Sequence, residues 1–520
     1  MFEIPARFNL ADYYLDHNLR AGRGEKVAVY YRERTLTYAQ IYALSCQFSH
    51  LMRAEGVQPE QRVLMILPDI PEFVPAWFGI LRAGSVIAMV NPLLPSEDFA
   101  YYLQYTRAAL AITDVETLPR LRPVLSEASS LRGLVVVGLE QREQVGAVTL
   151  IPWAEVMGQP TEYPLFDSSR DDIAIWLFTS GSTGKPKAAV HMHHDFAFNT
   201  ERYAKGVLGI REDDLTLGVP KLFFGYATGT NMMFPFAVGA ATVLFSERST
   251  PDTLYDHLER FQPTILTSVP TMINAMLHSP RAASAKLDRL RFVLSAGEAL
   301  PAELYQRWVS RFGVEILDGI GSAEMFHIYI SNAPGDVKLG SLGKLVPGYE
   351  ARVVSPEGND VPPGEAGVLH IKGDSAALCY WQDHEKSKAT FAGDWCFTQD
   401  LFRRDDHGYF WYEGRSDDML KVSGIWVSPL EIENCLLKAP EVAEVCVVGY
   451  EDEAGLVKAR AWVVLKEEVT LKGETLEEHL KGWTKQHLAP YKYPRSWRFV
   501  EQLPKNDRGK VDRKVIKSWV

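Results

Sequence analysis

Nine consecutive residues concentrate phosphate-binding groups in this 520-residue chain: Thr179-Ser180-Gly181-Ser182-Thr183-Gly184-Lys185-Pro186-Lys187. The two glycines let the backbone approach an anion, the hydroxyls offer hydrogen-bond donors, and the two lysines offer positive charge. The stretch reads as a nucleotide-phosphate loop. A Walker A loop would need glycine at the position of Thr179 and Ser or Thr directly after the lysine, where this chain has Pro186. The apolar Ala188-Ala189-Val190 that follows has the character of a strand, so the loop is expected to join two strands rather than open a helix.

Other reactive groups stand where strands are expected to end. Gly297-Glu298 follows the apolar run 291–296, and Asp318-Gly319-Ile320-Gly321 follows 314–317. In open α/β sheets ligands lie beyond the carboxyl ends of strands, so both acid-glycine corners are expected to converge with the 179–187 loop. Near the end of the chain Lys505, Arg508, Lys510, Arg513, Lys514 and Lys517 crowd together, and on charge alone they read as a solvated basic tail. The aromatic run Lys221-Leu222-Phe223-Phe224-Gly225-Tyr226-Ala227-Thr228-Gly229 suits either an ordinary core segment or the wall of a slot for a flat ligand.

The bulk properties bound the setting of these groups. A chain of this length holds two or more domains, and 46% hydrophobic with 23% charged residues is the balance of a soluble globular protein. The formal charge of -11 argues against a general nucleic-acid or anionic-membrane binder, so a polyanionic ligand must meet a local basic patch. No secretory leader and no membrane span are read from the sequence. Cys46, Cys379, Cys396, Cys435 and Cys446 form no C-x-x-C pair, which suits free thiols in a reducing cytoplasm.

The elements that must position the loop follow from the pattern. Strands are expected at 27–31, 63–67, 85–90 and 110–113, with helices between them: one capped by Thr37, one running towards Arg82, and one starting at Ser96. This alternation predicts a parallel, doubly wound α/β sheet. Further on, 193–208 is expected to be helical, 242–245, 264–268, 291–296 and 314–317 to be strands, and Pro301 to be an early helix residue. From Ser355 to Tyr412, Pro-Glu-Gly and Pro-Pro-Gly-Glu turns predict a small β-rich subdomain. The strand pair 442–449 and 459–465, then a helix opened by a capping box at Thr475-Leu476-Glu477-Glu478 with Leu476, Leu480, Trp483 and Leu488 inward, predicts a C-terminal α+β domain.

The nonapeptide resembles the signature loop of the adenylate-forming superfamily, which comprises acyl-CoA synthetases, peptide-synthetase adenylation domains and beetle luciferases. The usual form ends in Pro-Lys-Gly, and this chain departs only with Ala188. The resemblance continues in order along the chain. Asp318 to Glu324 (DGIGSAE) is similar to the Tyr-Gly-x-Thr-Glu segment, with Ile320 where an adenine-stacking Tyr is common and Ala323 in place of Thr. The likeness implies that Glu324, with Thr179, holds Mg²⁺, that Asp318 reaches the adenine amino group, and that Ala296-Gly297-Glu298 and Gly319 line the adenine corner. Thr398-Gln399-Asp400 is similar to Thr-Gly-Asp, implying Asp400 on the ribose. In Gly414-Arg415-Ser416-Asp417-Asp418-Met419-Leu420-Lys421-Val422-Ser423-Gly424, Arg415 is implied at ribose or phosphate, Asp417 as the hinge, Lys421 among the catalytic groups and Gly424 on the thiol tunnel. Lys510, at the end of Leu503-Pro504-Lys505-Asn506-Asp507-Arg508-Gly509-Lys510, is implied as the catalytic lysine. The domains expected on this basis are 1–416, for AMP and acid binding, and a mobile 417–520.

The aromatic run and Gly321-Ser322-Ala323-Glu324-Met325-Phe326-His327-Ile328 resemble segments of benzoate and hydroxybenzoate CoA ligases. By that likeness Phe224 is the gating aromatic, and Gly225, Tyr226, Ala227, Gly321, His327 and Ile328 surround an aromatic acid. Those ligases often have Ala at the position of Gly225, so the missing methyl is expected to leave room for a ring substituent. The implied substrates are ATP, coenzyme A and benzoate or a small derivative such as 2-aminobenzoate, with Mg²⁺ as cofactor. A carrier-protein pantetheine is the alternative acceptor, and the expected state is monomer or homodimer.

Overall fold

Thr37 opens the first long helix, Tyr38–Ala54, by a reciprocal cap in which its hydroxyl accepts the Gln40 N–H and the Gln40 side chain accepts the Thr37 N–H. That helix and Phe73–Arg82 flank a parallel run of strands, Arg62–Met65, Val86–Met89, Leu110–Asp114 and Gly133–Val137, in which Met65 stands between Met89 and Ile112. The computed structural model describes residues 3–519 except 181–184, 299, 417, 423–424, 453–455, 467–468, 470–472, 490–491 and 506–510, with the backbone alone at 180, 421, 425 and 426.

The first of two nine-stranded sheets runs in the order Cys379–Tyr380, Pro186–Met192, Ile173–Ser180, Val86–Met89, Arg62–Met65, Leu110–Asp114, Gly133–Val137, Val148–Pro152, Glu143–Val145. The second runs Lys344–Leu345, Ile328–Ser331, Ile316–Gly321, Phe292–Ala296, Ile265–Ser268, Leu215–Gly218, Ala241–Val243, Val27–Tyr31, Arg34–Thr37. Their interiors are parallel as the alternating pattern predicts. Short connections return directly to antiparallel partners at Ile173–Ser180 with Pro186–Met192 and at Ile316–Gly321 with Ile328–Ser331, because a parallel partner requires a long crossover, while the distant Cys379–Tyr380 adds a further antiparallel edge strand. Both buried faces are rich in aliphatic side chains: Leu64, Ile66, Val86, Ala88, Val136 and Trp176 in one sheet, and Leu217, Val243, Leu266, Val293 and Ile316 with Trp308 in the other.

Three local expectations shift. The strand expected to stop at 317 continues through Asp318 to Gly321, because its antiparallel partner Ile328–Ser331 supplies the remaining hydrogen bonds. Pro301 stands at the N-cap of Ala302–Phe312, one position before the helix begins. Thr475 lies inside the helix Gly473–His487, whose first turn carries Glu474, so the proposed capping box does not open it. Leu476 and Leu480 nonetheless face the core with Val447, Ala461, Val463 and Trp497.

Two compact units divide the chain: 1–350 with 371–396, and 351–370 with 397–520. The second therefore contains most of the small β-rich segment as well as the C-terminal α+β fold. Its paired strands Val442–Glu451 and Val457–Leu465 are antiparallel, as expected. All five cysteines are free. Among the described residues no helix is long and apolar enough to cross a membrane.

Candidate active site

In the first unit the strands on either side of the 179–187 segment are antiparallel, with Thr179 opposite Lys187 and Ser180 opposite Pro186, while 181–184 lie outside the described residues. The exit strand is held by tyrosines. Tyr101 donates its hydroxyl to the Pro186 carbonyl at 2.6 Å. Tyr105, stacked on Tyr101, accepts the Ala188 N–H at 3.3 Å and donates to the Trp381 carbonyl at 2.7 Å. Lys185 Nζ lies 5.5 Å from the Tyr101 ring centroid, and Lys187 Nζ lies 3.5 Å from that of Tyr380.

The strand Ile316–Gly321 carries the second group of residues. Ala296 pairs with Gly319 across the neighbouring strand. Asp318 is 4% exposed, and its Oδ1 has no hydrogen-bond partner among the described residues. Burial pushes its carboxyl up to about 8. Glu298 turns to the preceding helix Pro270–His278, where one carboxylate oxygen accepts both the N–H and the hydroxyl of Thr271, at 3.1 and 2.7 Å. Beyond Gly321, Ser322 caps a short turn containing Glu324. Glu324 Oε1 accepts the hydroxyl of Tyr380 at 2.6 Å. The carbonyl of Ala323 lies 2.6 Å from His191 Nε2, and Asp195 lies 2.7 Å from His191 Nδ1, so the buried imidazole is held at both nitrogens.

Phe326 then takes φ +64°, ψ -58°, and the His327 N–H donates to the Met325 carbonyl at 2.8 Å. This three-residue γ-turn is sparsely populated and costs about 1–3 kcal/mol at a non-glycine residue. It separates Glu324 from His327 by only two residues. The His327 imidazole is 2% exposed and ringed by Tyr203, Tyr226, Phe234 and Phe326, with centroids 4.7 to 5.7 Å away. Its Nε2 donates to the Tyr226 carbonyl at 3.0 Å, which leaves Nδ1 as a buried acceptor without a partner among the described residues. Desolvation lowers the imidazole to about 3, so it is neutral near pH 7.

Phe224, Gly225, Tyr226 and Ala227 form a short helical turn beside it, with Phe224 at the N-cap. The turn is anchored from behind. Asp69, fully buried, accepts the Leu222 N–H at 2.8 Å, and Lys221 donates to the Phe245 carbonyl at 2.7 Å with its ammonium on the Phe245 ring. Two glycines are required by contact. A methyl at Gly321 would stand 2.4 Å from the His327 carbonyl oxygen, and one at Gly229 would stand 2.5 Å from His327 Cδ2. At Gly225 a methyl would meet Leu177 at 3.2 to 3.3 Å, so the space its absence frees borders Leu177. Ile328 pairs with Gly321 on the same wall.

The second unit holds the remaining sequence candidates. Asp400 and Arg415 are cross-strand partners, with Nη1 3.3 Å from Oδ1, and Arg415 also donates to Gln399 at 3.2 Å. Gln399, at φ +62°, stands where the related motif has glycine. Asp418 pairs with Lys517 at 2.7 Å, and Glu433 with Arg513 at 2.7 Å. Lys505 and Val511 form an isolated bridge. Asp417, Gly424 and Lys510 lie outside the described residues, as does the side chain of Lys421.

Residues 15–381 match the family described as AMP-binding enzyme. The chain belongs to that family. Residues 431–510 match the AMP-binding enzyme C-terminal domain. A benzoate--CoA ligase of Thauera aromatica is 42% identical over 518 residues, covering 99% of this chain and 97% of its own. The anthranilate CoA ligase AuaEII, solved in complex with anthranoyl-AMP, is 37% identical with a TM-score of 0.93, covering 99% of this chain and 98% of its own. A benzoate CoA ligase from Burkholderia xenovorans LB400 is 39% identical with a TM-score of 0.88, covering 98% and 99%.

For an AMP-binding enzyme the donor set fits its nucleotide. Asp318 Oδ1, buried and without a hydrogen-bond partner among the described residues, is a polar atom that an adenine amino group would satisfy. Glu324 offers Mg²⁺ the hard oxygen it prefers, and bound there the ion would neutralise phosphate charge. Sequence reasoning missed Tyr101, Tyr105, Tyr380, His191 and Asp195. Tyr101 and Tyr105 lie in the helix expected from Ser96 and Tyr380 in the expected β-rich segment, and the pairing of Ala189 with Tyr380 and of Val190 with Cys379 brings the Cys379–Tyr380 strand beside Pro186–Met192. The His191 and Asp195 spacing of four residues was the available signal, but it spans the end of a strand and the start of a helix.

Proposed function

We propose that this AMP-binding enzyme is an ATP-dependent aryl-CoA ligase for benzoate or a small substituted benzoate such as 2-aminobenzoate. The observation that carries the substrate class is the aromatic enclosure around neutral His327, which offers flat walls and one acceptor, Nδ1. A ring-borne N–H or O–H would satisfy that acceptor, whereas a fatty acid needs a long apolar tunnel.

The reaction runs in two steps. The aryl carboxylate oxygen attacks the α-phosphorus of ATP, forming aryl-AMP as the bond to the leaving pyrophosphate breaks. The thiol sulfur of coenzyme A then attacks the aryl carbonyl carbon and expels AMP. In this reading the 179–187 loop stabilises charge on the departing pyrophosphate, and Glu324 and Thr179 hold Mg²⁺. Asp318, Ala296, Gly297, Glu298, Gly319 and Ile320 line the adenine side, Asp400 and Arg415 take the ribose, and Lys510 stabilises the first transition state. Phe224, Gly225, Tyr226, Ala227, Ala296, Gly321, His327 and Ile328 enclose the ring. Lys421 and Gly424 serve the thioester step after a turn at Asp417.

The test is CoA-dependent AMP release with benzoate, 2-aminobenzoate, hydroxybenzoates, fluorobenzoates and octanoate as acids. At least one benzoate is expected to exceed octanoate in kcat/KM by tenfold or more, as a difference of about 1.4 kcal/mol or more in transition-state binding requires. Octanoate turnover equal to every benzoate would refute the substrate class. Transfer to a carrier pantetheine and not to free CoA would refute the acceptor.

A further inference from the structure

Phe326, at φ +64°, holds a backbone conformation that a bulky residue avoids, and the direction of the His327 side chain depends on that turn. Left to itself the turn would relax and carry the imidazole with it. Three polar side chains far apart in sequence close on its two ends. Before the turn, the Ser375 hydroxyl donates to the Met325 carbonyl at 3.0 Å, and the Ala377 N–H donates to the Glu324 carbonyl at 2.8 Å. After it, Asn199, the last residue of the helix His193–Asn199, donates from Nδ2 to the Ile328 carbonyl at 2.8 Å. Tyr349 joins the two grips: its hydroxyl accepts from Asn199 Nδ2 at 2.9 Å and lies 2.7 Å from Ser375 Oγ. A carbonyl can only accept, so the single Ser375 proton goes to Met325 and the Tyr349 hydroxyl donates to Ser375. Donation therefore runs from Asn199 through Tyr349 and Ser375 to Met325, each bond polarising the next. Asn199 and Ser375 are fully buried and Tyr349 nearly so. Apolar side chains would fill this space without the cost of burying polar groups, so the trio is explained by the carbonyls it grips. The Tyr349 ring is seated as well, against Phe198 with centroids 5.2 Å apart and over Gly373, where a methyl would stand 2.4 Å from Cδ1.

We propose that Asn199, Tyr349 and Ser375 are positioning residues for the aryl acid, one hydrogen-bonded relay that clamps the backbone on both sides of Phe326 and His327 and so fixes the imidazole in the wall of the acid pocket. This rests on the aryl-CoA ligase reading. Tyr349→Phe keeps the ring and breaks the relay at its centre, and Ser375→Ala releases the Met325 carbonyl. Each is expected to raise KM for the aryl acid about tenfold, since misplacing a bound group by about 1 Å can cost up to about a hundredfold. KM for ATP should stay within about twofold of wild type, because the turn at Phe326 leads away from the nucleotide side. The double variant is expected to be no worse than about twofold below the poorer single variant, as members of one network are not additive. A second readout needs no substrate: the ¹⁵N resonances of the His327 ring in histidine-labelled enzyme, assigned by their loss in His327→Asn, should shift in both single variants.

An unchanged KM for the acid in both single variants would overturn the proposal. So would equal rises in KM for acid and ATP together with a lowered melting temperature, which mark a purely structural role, or losses that multiply in the double variant. If the wild-type enzyme turned over no aryl acid, the function reading would fail instead. The His327 resonances would then decide the clamp, a shift in the variants sustaining it and unmoved signals overturning it.

Discussion

Asp318 brings into the interior of the first unit a carboxyl oxygen with no hydrogen-bond partner among the described residues, and its acidity follows from that placement. Its folded value near 8 lies far above the ordinary 3.8, with burial as the main cause. Between about pH 4 and pH 8 the folded state therefore binds a proton that the unfolded state has released. The stability this group contributes is complete below pH 4 and is lost as pH rises through 8, at up to about 1.4 kcal/mol per unit. Asp318→Asn removes this dependence. Melting temperatures of wild type and variant from pH 5 to 9 should converge or cross as pH rises, with the wild type falling faster, and parallel curves would contradict the assignment. The sequence showed this acid at a glycine corner. Its protonation depends on burial by strands distant in sequence, which no local pattern reveals.

At the scale of elements, the site is made where two short turns meet, one at Gly225–Thr228 and the other at Ala323–Met325 followed by Phe326. Gly229 is the point of contact. Gly229→Ala would place a methyl 2.5 Å from Cδ2 and 2.7 Å from Nε2 of His327, forcing the imidazole off the Tyr226 carbonyl. The expected result is a loss of about 1–3 kcal/mol in stability, as for other overpacked interiors, and a rise in KM for the aryl acid larger than any change in KM for ATP. Unchanged kinetics with benzoate would show that His327 lies outside the acid pocket. Most helices and strands were legible because apolar period and caps act locally, as at Thr37. The extension of Ile316–Gly321 was not, because its last hydrogen bonds come from a strand still to follow in sequence. The γ-turn at Phe326 was hidden too, since a bulky residue at positive φ contradicts its own preference and is held there by packing on Phe196, with ring centroids 4.4 Å apart.

Across the whole molecule, in a chain of net charge -11, the cations proposed for the phosphates and ribose are held locally, with Lys185 and Lys187 against aromatic faces in the first unit and Arg415 paired with Asp400 in the second. Each unit has its own core, and the family matches at 15–381 and 431–510 fall largely within one unit each. Motif order along the sequence made the adenylation chemistry legible, whereas the tyrosines that hold the loop became visible only once the sheet order was known. The central claim is that the acid is activated by its own attack on the α-phosphorus. Turnover of benzoate carrying ¹⁸O in both carboxylate oxygens, with ATP and CoA, tests this in one mass spectrum. The account predicts one ¹⁸O in the phosphate of AMP and none in pyrophosphate. Release of ADP with ¹⁸O in inorganic phosphate, or AMP free of the label, would contradict it.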